Sequence, residues 1–171
     1  MPTLFLAMLS WTTWGRAAQI RPGHAAALSG LLPRLAEKGG AELTELAVVS
    51  THVHAILRLG PRCDASRLVK YMKGGSALLL NRLITGQGRI RWAHGHDLRS
   101  VDLRSLPQLR YYLNNAGRRH GVPLLVRWSL VRIDEELKER RGQVSGESAV
   151  ASAQWSSVVG GQASASLQPD N

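Results

Sequence analysis

Cysteine occurs once in this chain, at Cys63. A single thiol excludes an internal disulfide framework and any cysteine-rich zinc knuckle, and it fits a reducing compartment. Acidic side chains are also scarce, 12 against 22 Lys and Arg. The deficit is uneven. Residues 1–133 carry 19 basic and 6 acidic side chains, a balance of +13, whereas residues 134–171 carry 3 and 6, a balance of −3. So strong an excess in the part that reads as folded points to a polyanionic partner. No run approaches the ~20 apolar residues that a membrane-crossing helix needs, so no membrane role is expected. The apolar opening, Leu4 to Leu9, has no basic residue before it, the first being Arg16. It reads as a first strand rather than a signal peptide, and the cytoplasm is the expected compartment.

The remaining pattern predicts alternating elements. Residues 3–13 read as a strand. Pro22 and Gly23 open a helix with Leu28, Leu31, Leu32 and Leu35 on one side, interrupted by Pro33 and stopped by Gly39 and Gly40. Residues 41–49 and 52–59 read as two strands about Ser50 and Thr51, or as one bent strand. Asp64 or Ser66 caps a helix over 65–84, with Leu68, Met72, Leu79 and Leu83 as its apolar positions and a bend at Gly74 and Gly75. Short strands are expected at 89–93 and 96–101. Leu106 and Pro107 start a third helix that runs to His120 and stops at Gly121. A strand follows over 122–131, then a charged helical turn from Asp134 to Arg141. From Gly142 the chain is Gly, Ser, Ala and Gln with scattered Val, a composition that cannot bury a core and is expected to be disordered. The order predicts an α+β, ferredoxin-like antiparallel sheet with helices mainly on one face. The expected division is a catalytic domain over 1–133 and a charged turn with a Gly/Ser/Ala-rich tail over 134–171.

Two histidines one residue apart, His52 and His54, close an apolar run. On a strand they share a face, opposite Val53 and Ala55, and form half of a metal site. Tyr111 and Asn115 stand four apart and share a helical face. The first offers a phenolic nucleophile and the second a neutral oxygen ligand. Two imidazoles and an amide oxygen suit a divalent ion with open positions for phosphate and water. Tyr112 is the neighbouring candidate nucleophile. Its partner four residues on is Ala116, which cannot ligate, so Tyr111 is preferred. His94 and His96 form a rival pair around Gly95, but the central glycine suggests a turn and no carboxylate partner is evident beyond Asp97. Trp92 reads as core.

The segment 48–57 resembles the His-hydrophobic-His signature of HUH endonucleases, specifically the single-tyrosine transposases of the insertion-sequence and REP-associated type. The likeness extends through Val69, Lys70, Tyr71, Met72, Lys73 and Gly74 with Ser76 and Asn81; through Trp92 and Gly95 with Arg99, Ser100 and Val101; and through Tyr111 to His120. It covers about residues 3–121. It implies an HUH endonuclease domain that cleaves and rejoins single-stranded or hairpin DNA through a 5′-phosphotyrosine link, releasing a 3′-hydroxyl. It also implies Tyr111 as nucleophile, and His52, His54 and Asn115 as ligands of a magnesium or manganese ion. The chain departs from the commoner pattern with Asn115 where glutamine is frequent, and with Ser50 and Thr51 before the histidines. A homodimer is implied by insertion-sequence members, a monomer by some REP-associated ones. A domesticated binding protein or a non-transposing nickase of the same fold would share these residues. Lys73, Arg99, Arg110, Arg118 and Arg119 are the leading DNA-contacting candidates.

The charge balance predicts that affinity for a single-stranded oligonucleotide falls steeply as salt rises. Titration at several salt concentrations reads the slope, and a flat response would remove the polyanion argument.

Overall fold

The computed structural model describes residues 5–130. The expected turn at 134–141, the tail and the boundary at 133 lie outside the described residues. Five strands form one antiparallel sheet: β1 (Phe5–Thr12), β2 (Ala41–Val49), β3 (His52–Leu59), β4 (Asp97–Val101) and β5 (Leu124–Ser129). Their order is β4-β1-β3-β2-β5. With helix α1 (Pro22–Lys38) between β1 and β2, and helices α2 (Ala65–Val69) and α3 (Ser76–Leu83) between β3 and β4, this is the expected ferredoxin-like arrangement. The extra strand β5 extends the β2 edge. Among the described residues, no helix is long and apolar enough to cross a membrane.

Pro33 does not end α1. The helix buries Leu28, Leu32 and Leu35 along one stripe. At about 2 kcal/mol for each buried leucine, that burial exceeds the ~3 kcal/mol cost of an interior proline. The expected helix over 65–84 contains an irregular turn around the expected bend at Gly74 and Gly75, and its form changes which residues are buried. Asp64 Oδ1 caps α2 by accepting from Ser66 N at 2.8 Å and Arg67 N at 3.2 Å. A six-residue π turn, Lys70–Gly75, then joins α2 to α3. Leu68, Met72, Ser76 and Leu80 are buried, a strict four-residue spacing that drifts by roughly 40° per step on a regular α-helix. The wider turn absorbs that drift. Leu80 is fully buried, the expected Leu79 is partly buried against the same core, and the expected Leu83 is exposed. Residues 89–93 form no strand. They run extended, joined to the sheet by a single bridge between Trp92 and Thr13.

The sheet has two covered faces. Leu9, Trp11, Leu46, Val48, Val53, Ala55 and Leu57 join the core beneath α1 to α3. The other face is crossed by helices α4 (Leu106–Asn114) and α5 (Ala116–His120), which divide the expected third helix at Asn115. Gly117 in α5 packs so closely on the chain leading to β5 that a Cβ there would lie 2.7 Å from Val122 O and 2.8 Å from Leu124 N. Only glycine permits that approach.

Arg110 anchors α4. It was expected to contact DNA, but its Nε donates to Glu45 Oε1 at 2.7 Å, under the helix. Glu45 is fully buried on β2. It also accepts from Arg127 of β5 at 2.6 Å and from Ser129 Oγ at 2.9 Å. Two sequence-distant cations are thereby tied to one carboxylate. Replacing Glu45 by alanine leaves both guanidiniums without that counter-charge, and is expected to destabilise the fold by about 3–5 kcal/mol. Urea denaturation of the variant measures it, and a loss below ~1 kcal/mol would mean that the arginines relax into solvent.

Candidate active site

Strand alternation decides where the histidine pair goes. In β3, His52 pairs with Thr12 and Val49, and His54 with Ser10 and Ala47. Both imidazoles therefore stand on the face crossed by α4, away from the main core. Both are buried, with ring centroids 4.6 Å apart. Each ring is held by its Nδ1: His52 by Thr51 Oγ1 at 2.8 Å and His54 by Ser10 Oγ at 2.7 Å. Such bonds fix ring orientation and direct the opposite nitrogen into the site. His52 Nε2 is buried there and has no hydrogen-bond partner.

The helices bring to the histidine pair Tyr112, one position from the expected Tyr111, and His120, five positions from the expected Asn115. The Tyr112 phenol oxygen lies 3.4 Å from His54 Nε2 and 3.0 Å from His120 Nε2. The His120 ring centroid is 4.4 Å from that of His52. One nitrogen from each of His52, His54 and His120 falls within a 4.8 Å span. Tyr111 instead faces outward with 69% of its surface exposed. Asn115 spends its amide on the kink between the helices, donating Nδ2 to Tyr111 O at 2.8 Å. The structure thus brings His52 and His54 together, but brings neither Tyr111 nor Asn115 to them. The reason is helical phase. Residues 112, 116 and 120 follow one another at four-residue steps along a face, and residues 111 and 115 are turned about 100° from it. Ala116 cannot ligate, but its small size leaves the face open, and the donor stands one turn further on. Extending the i+4 series to i+8 would have found His120.

The electrostatics keep these imidazoles neutral. Burial, then the neighbouring charges of His120 and Arg16, lower the pKa of His52 to about 4. Burial, then His52 and His120, lower His54 to about 3, against a smaller upward pull from Asp97. His120 is also lowered, by burial and then by Arg119 and Arg16. Neutral imidazoles are the form that binds a metal. The orphaned His52 Nε2 and the fixed ring orientations therefore fit a cation held by all three residues. Burial raises the Tyr112 pKa, while Arg119, whose guanidinium carbon lies 5.2 Å from the ring centre, works in the opposite direction.

These groups line a cleft of about 620 Å³ with Arg16, His96, Asp97 and Arg99 on its walls. Arg99 is exposed and paired with Asp97 at 2.8 Å. Arg118 lies by a second, shallower hollow beside Asn115. Lys73, also expected to contact DNA, has its ammonium turned inward. It donates to the carbonyls of Ala93, His94 and Gly95 at 2.6, 3.0 and 2.8 Å, so all three protons are in use. Ser76 accepts from Trp92 Nε1 at 3.1 Å, and Asn81 exchanges two hydrogen bonds with the Ile90 backbone at 2.9 and 2.8 Å. Lys73, Ser76 and Asn81 together hold the segment 90–95 that forms one wall of the cleft.

No curated protein sequence matches this chain. A sequence profile for the family described as "Transposase IS200 like" matches residues 6–116, a span that contains His52, His54 and both tyrosines and ends before His120. Among solved structures, a protein of Deinococcus radiodurans R1 described as a candidate transposase superposes with a TM-score of 0.53 at 24% identity, over 67% of this chain and 92% of its own. A REP-associated tyrosine transposase bound to a REP hairpin superposes with a TM-score of 0.55 at 15% identity, over 71% of this chain and 70% of its own. At these identities the structural likeness is one of fold, and the profile match carries the assignment. The chain belongs to the IS200-like transposase family and is a DNA transposase.

Proposed function

We propose that this transposase cleaves and rejoins single-stranded or hairpin DNA, with Tyr112 as nucleophile and with His52, His54 and His120 as the holders of a divalent metal ion. The observation that carries the reading is the phenol oxygen of Tyr112 standing 3.0 Å from one and 3.4 Å from another of three clustered imidazoles. The basic balance of residues 1–133 and a fold shared with a transposase solved on a REP hairpin support the choice of substrate.

In the proposed reaction the Tyr112 oxygen attacks a backbone phosphorus and the bond to the 3′-oxygen breaks. The products are a 5′-phosphotyrosine link and a free 3′-hydroxyl, and the reverse attack by a 3′-hydroxyl rejoins the strand. The phenolic proton leaves to solvent in the open cleft as the oxygen–phosphorus bond forms, the departing 3′-oxygen takes a proton from solvent, and the Arg119 guanidinium over the ring favours the developing phenolate. Thr51 and Ser10 keep the two strand imidazoles aimed. A bound divalent ion would supply Lewis-acid polarisation of the phosphate. Three imidazoles favour manganese over magnesium, because magnesium prefers oxygen ligands.

A hairpin with a single-stranded tail is expected to give a denaturation-resistant protein–DNA adduct with manganese, and less of it with magnesium. Tyr112→Phe, which removes only the hydroxyl, is expected to bind the DNA and form no adduct, while Tyr111→Phe retains it. His120→Ala is expected to lower adduct formation by about a hundredfold or more, the scale of losing a Lewis acid worth several kcal/mol. Mass spectrometry of the trapped peptide identifies the tyrosine. A nucleotide on Tyr111 would overturn the assignment and return Asn115 as the third ligand.

A further inference from the structure

Among the described residues, Trp14 is one of the few large apolar side chains left open to solvent, with 43% of its surface exposed. Its surroundings hold it in that position. Its backbone N–H donates to Arg91 O at 2.7 Å. The Gln19 side chain spans both residues, donating to Trp14 O at 3.4 Å and accepting from Arg91 N at 2.9 Å. The Arg91 guanidinium lies over one face of the indole, 4.1 Å from its centre, so a base would stack on the opposite face, and the His94 and Trp14 rings meet edge to face at 5.4 Å. His94 in turn sits in the loop gripped by Lys73. The site is therefore built before any ligand arrives.

The chain then turns sharply. Gly15 has φ 62° and Arg16 φ 54°, a left-handed pair that is costly for the arginine. The turn leaves the indole outside while Arg16 lines the catalytic cleft. Trp14 thus stands at the cleft's approach, two residues from a side chain inside it. An ordered, exposed indole flanked by a guanidinium and an imidazole matches the chemistry of an unpaired nucleobase and its phosphate. Bases stack on aromatic faces whatever their identity, and cations beside the ring meet the backbone.

We propose that Trp14, with Arg91 and His94, forms a stacking site for one unpaired nucleobase of the DNA strand that enters the cleft. The inference rests on the single-stranded substrate argued above. It adds a contact that holds the strand without reading its sequence, separate from the histidines and the tyrosines.

The test uses the full chain without metal, by fluorescence anisotropy. The probes are a labelled hairpin carrying an unpaired oligodeoxythymidine tail and the same hairpin blunt-ended. Trp14→Ala is expected to weaken binding of the tailed hairpin by about tenfold, the scale of one lost base–aromatic stack. Trp14→Phe is expected to recover most of the affinity, and the blunt hairpin to be bound equally by all three proteins. A single abasic nucleotide scanned along the tail is expected to weaken wild-type binding at one position where Trp14→Ala is indifferent. Independently of any variant, photo-crosslinking the wild-type protein to a tail scanned with 5-iododeoxyuridine is expected to label the peptide containing Trp14. Equal binding of the tailed hairpin by wild type and Trp14→Ala, equal losses on both probes, or crosslinks confined to other peptides would overturn the stacking site while leaving the substrate reading intact. Failure of the wild-type protein to bind the tailed hairpin would overturn both.

Discussion

A carboxylate with no access to water cannot remain charged on a central strand without cations brought to it. Glu45 is such a group, and α4 and β5 are placed by the arginines that reach it. Arg110 fixes not only where α4 crosses the sheet but how it is rotated. With Arg110 on Glu45 and with Leu106 and Leu113 buried beside it, the 100° step of the helix sends Tyr112 to the flank over β3 and Tyr111 to the outward flank. Which of the two adjacent tyrosines faces the histidines thus follows from an ion pair made by Arg110, two residues before Tyr112, with Glu45, sixty-five residues before Arg110. Glu45 belongs to no catalytic pattern, yet the site geometry follows from it.

Much of the architecture was legible in the chain. The histidines' common face follows from strand period alone, and the β-α-β-β-α-β order follows from the alternation of patterns. The parts that were not legible share a cause, which is that each depends on a small irregularity inside a long element. The π turn Lys70–Gly75 precedes a last stretch of helix in which Leu80 is fully buried and Leu83 is exposed. The kink at Asn115 absorbed that residue's amide into the backbone. The basic residues are hard to read for a different reason. Arg110 and Lys73 are cations whose charge is used inside the protein, on a carboxylate and on three carbonyls respectively. A count of positive charge cannot separate these from cations turned to solvent, such as Arg99.

The segment from Ile90 to Gly95 shows how little regular structure a functional wall requires. It has one bridge to the sheet, and its position comes from side chains of the neighbouring helices. Asn81 pairs with the Ile90 backbone, Ser76 receives the Trp92 indole N–H, and Lys73 closes on the next three carbonyls. Trp92 then packs edge-on against Trp11 at 5.9 Å, which couples the wall to the core. The spacing of Lys73, Ser76 and Asn81 along the helical segment follows the wall they hold.

The charge arrangement of the cleft follows from the two things it is proposed to bind. A carboxylate-rich metal site would attract a cation but repel the DNA backbone. Three imidazoles avoid that conflict, because desolvation keeps them neutral and they add no charge of either sign. The positive charge is carried instead by guanidiniums at the periphery, Arg16 and Arg99 on the walls and Arg119 over the tyrosine, where they meet phosphates without lying among the ligand atoms. Asp97, the one carboxylate on the cleft wall among the described residues, is paired with Arg99. In the proposed complex, the anionic oxygens that a hard cation prefers would come from the substrate's phosphate, since the three clustered residues offer only imidazole nitrogens. A neutral histidine cluster inside a basic rim thus reconciles a cation site with a polyanion site in a single cleft.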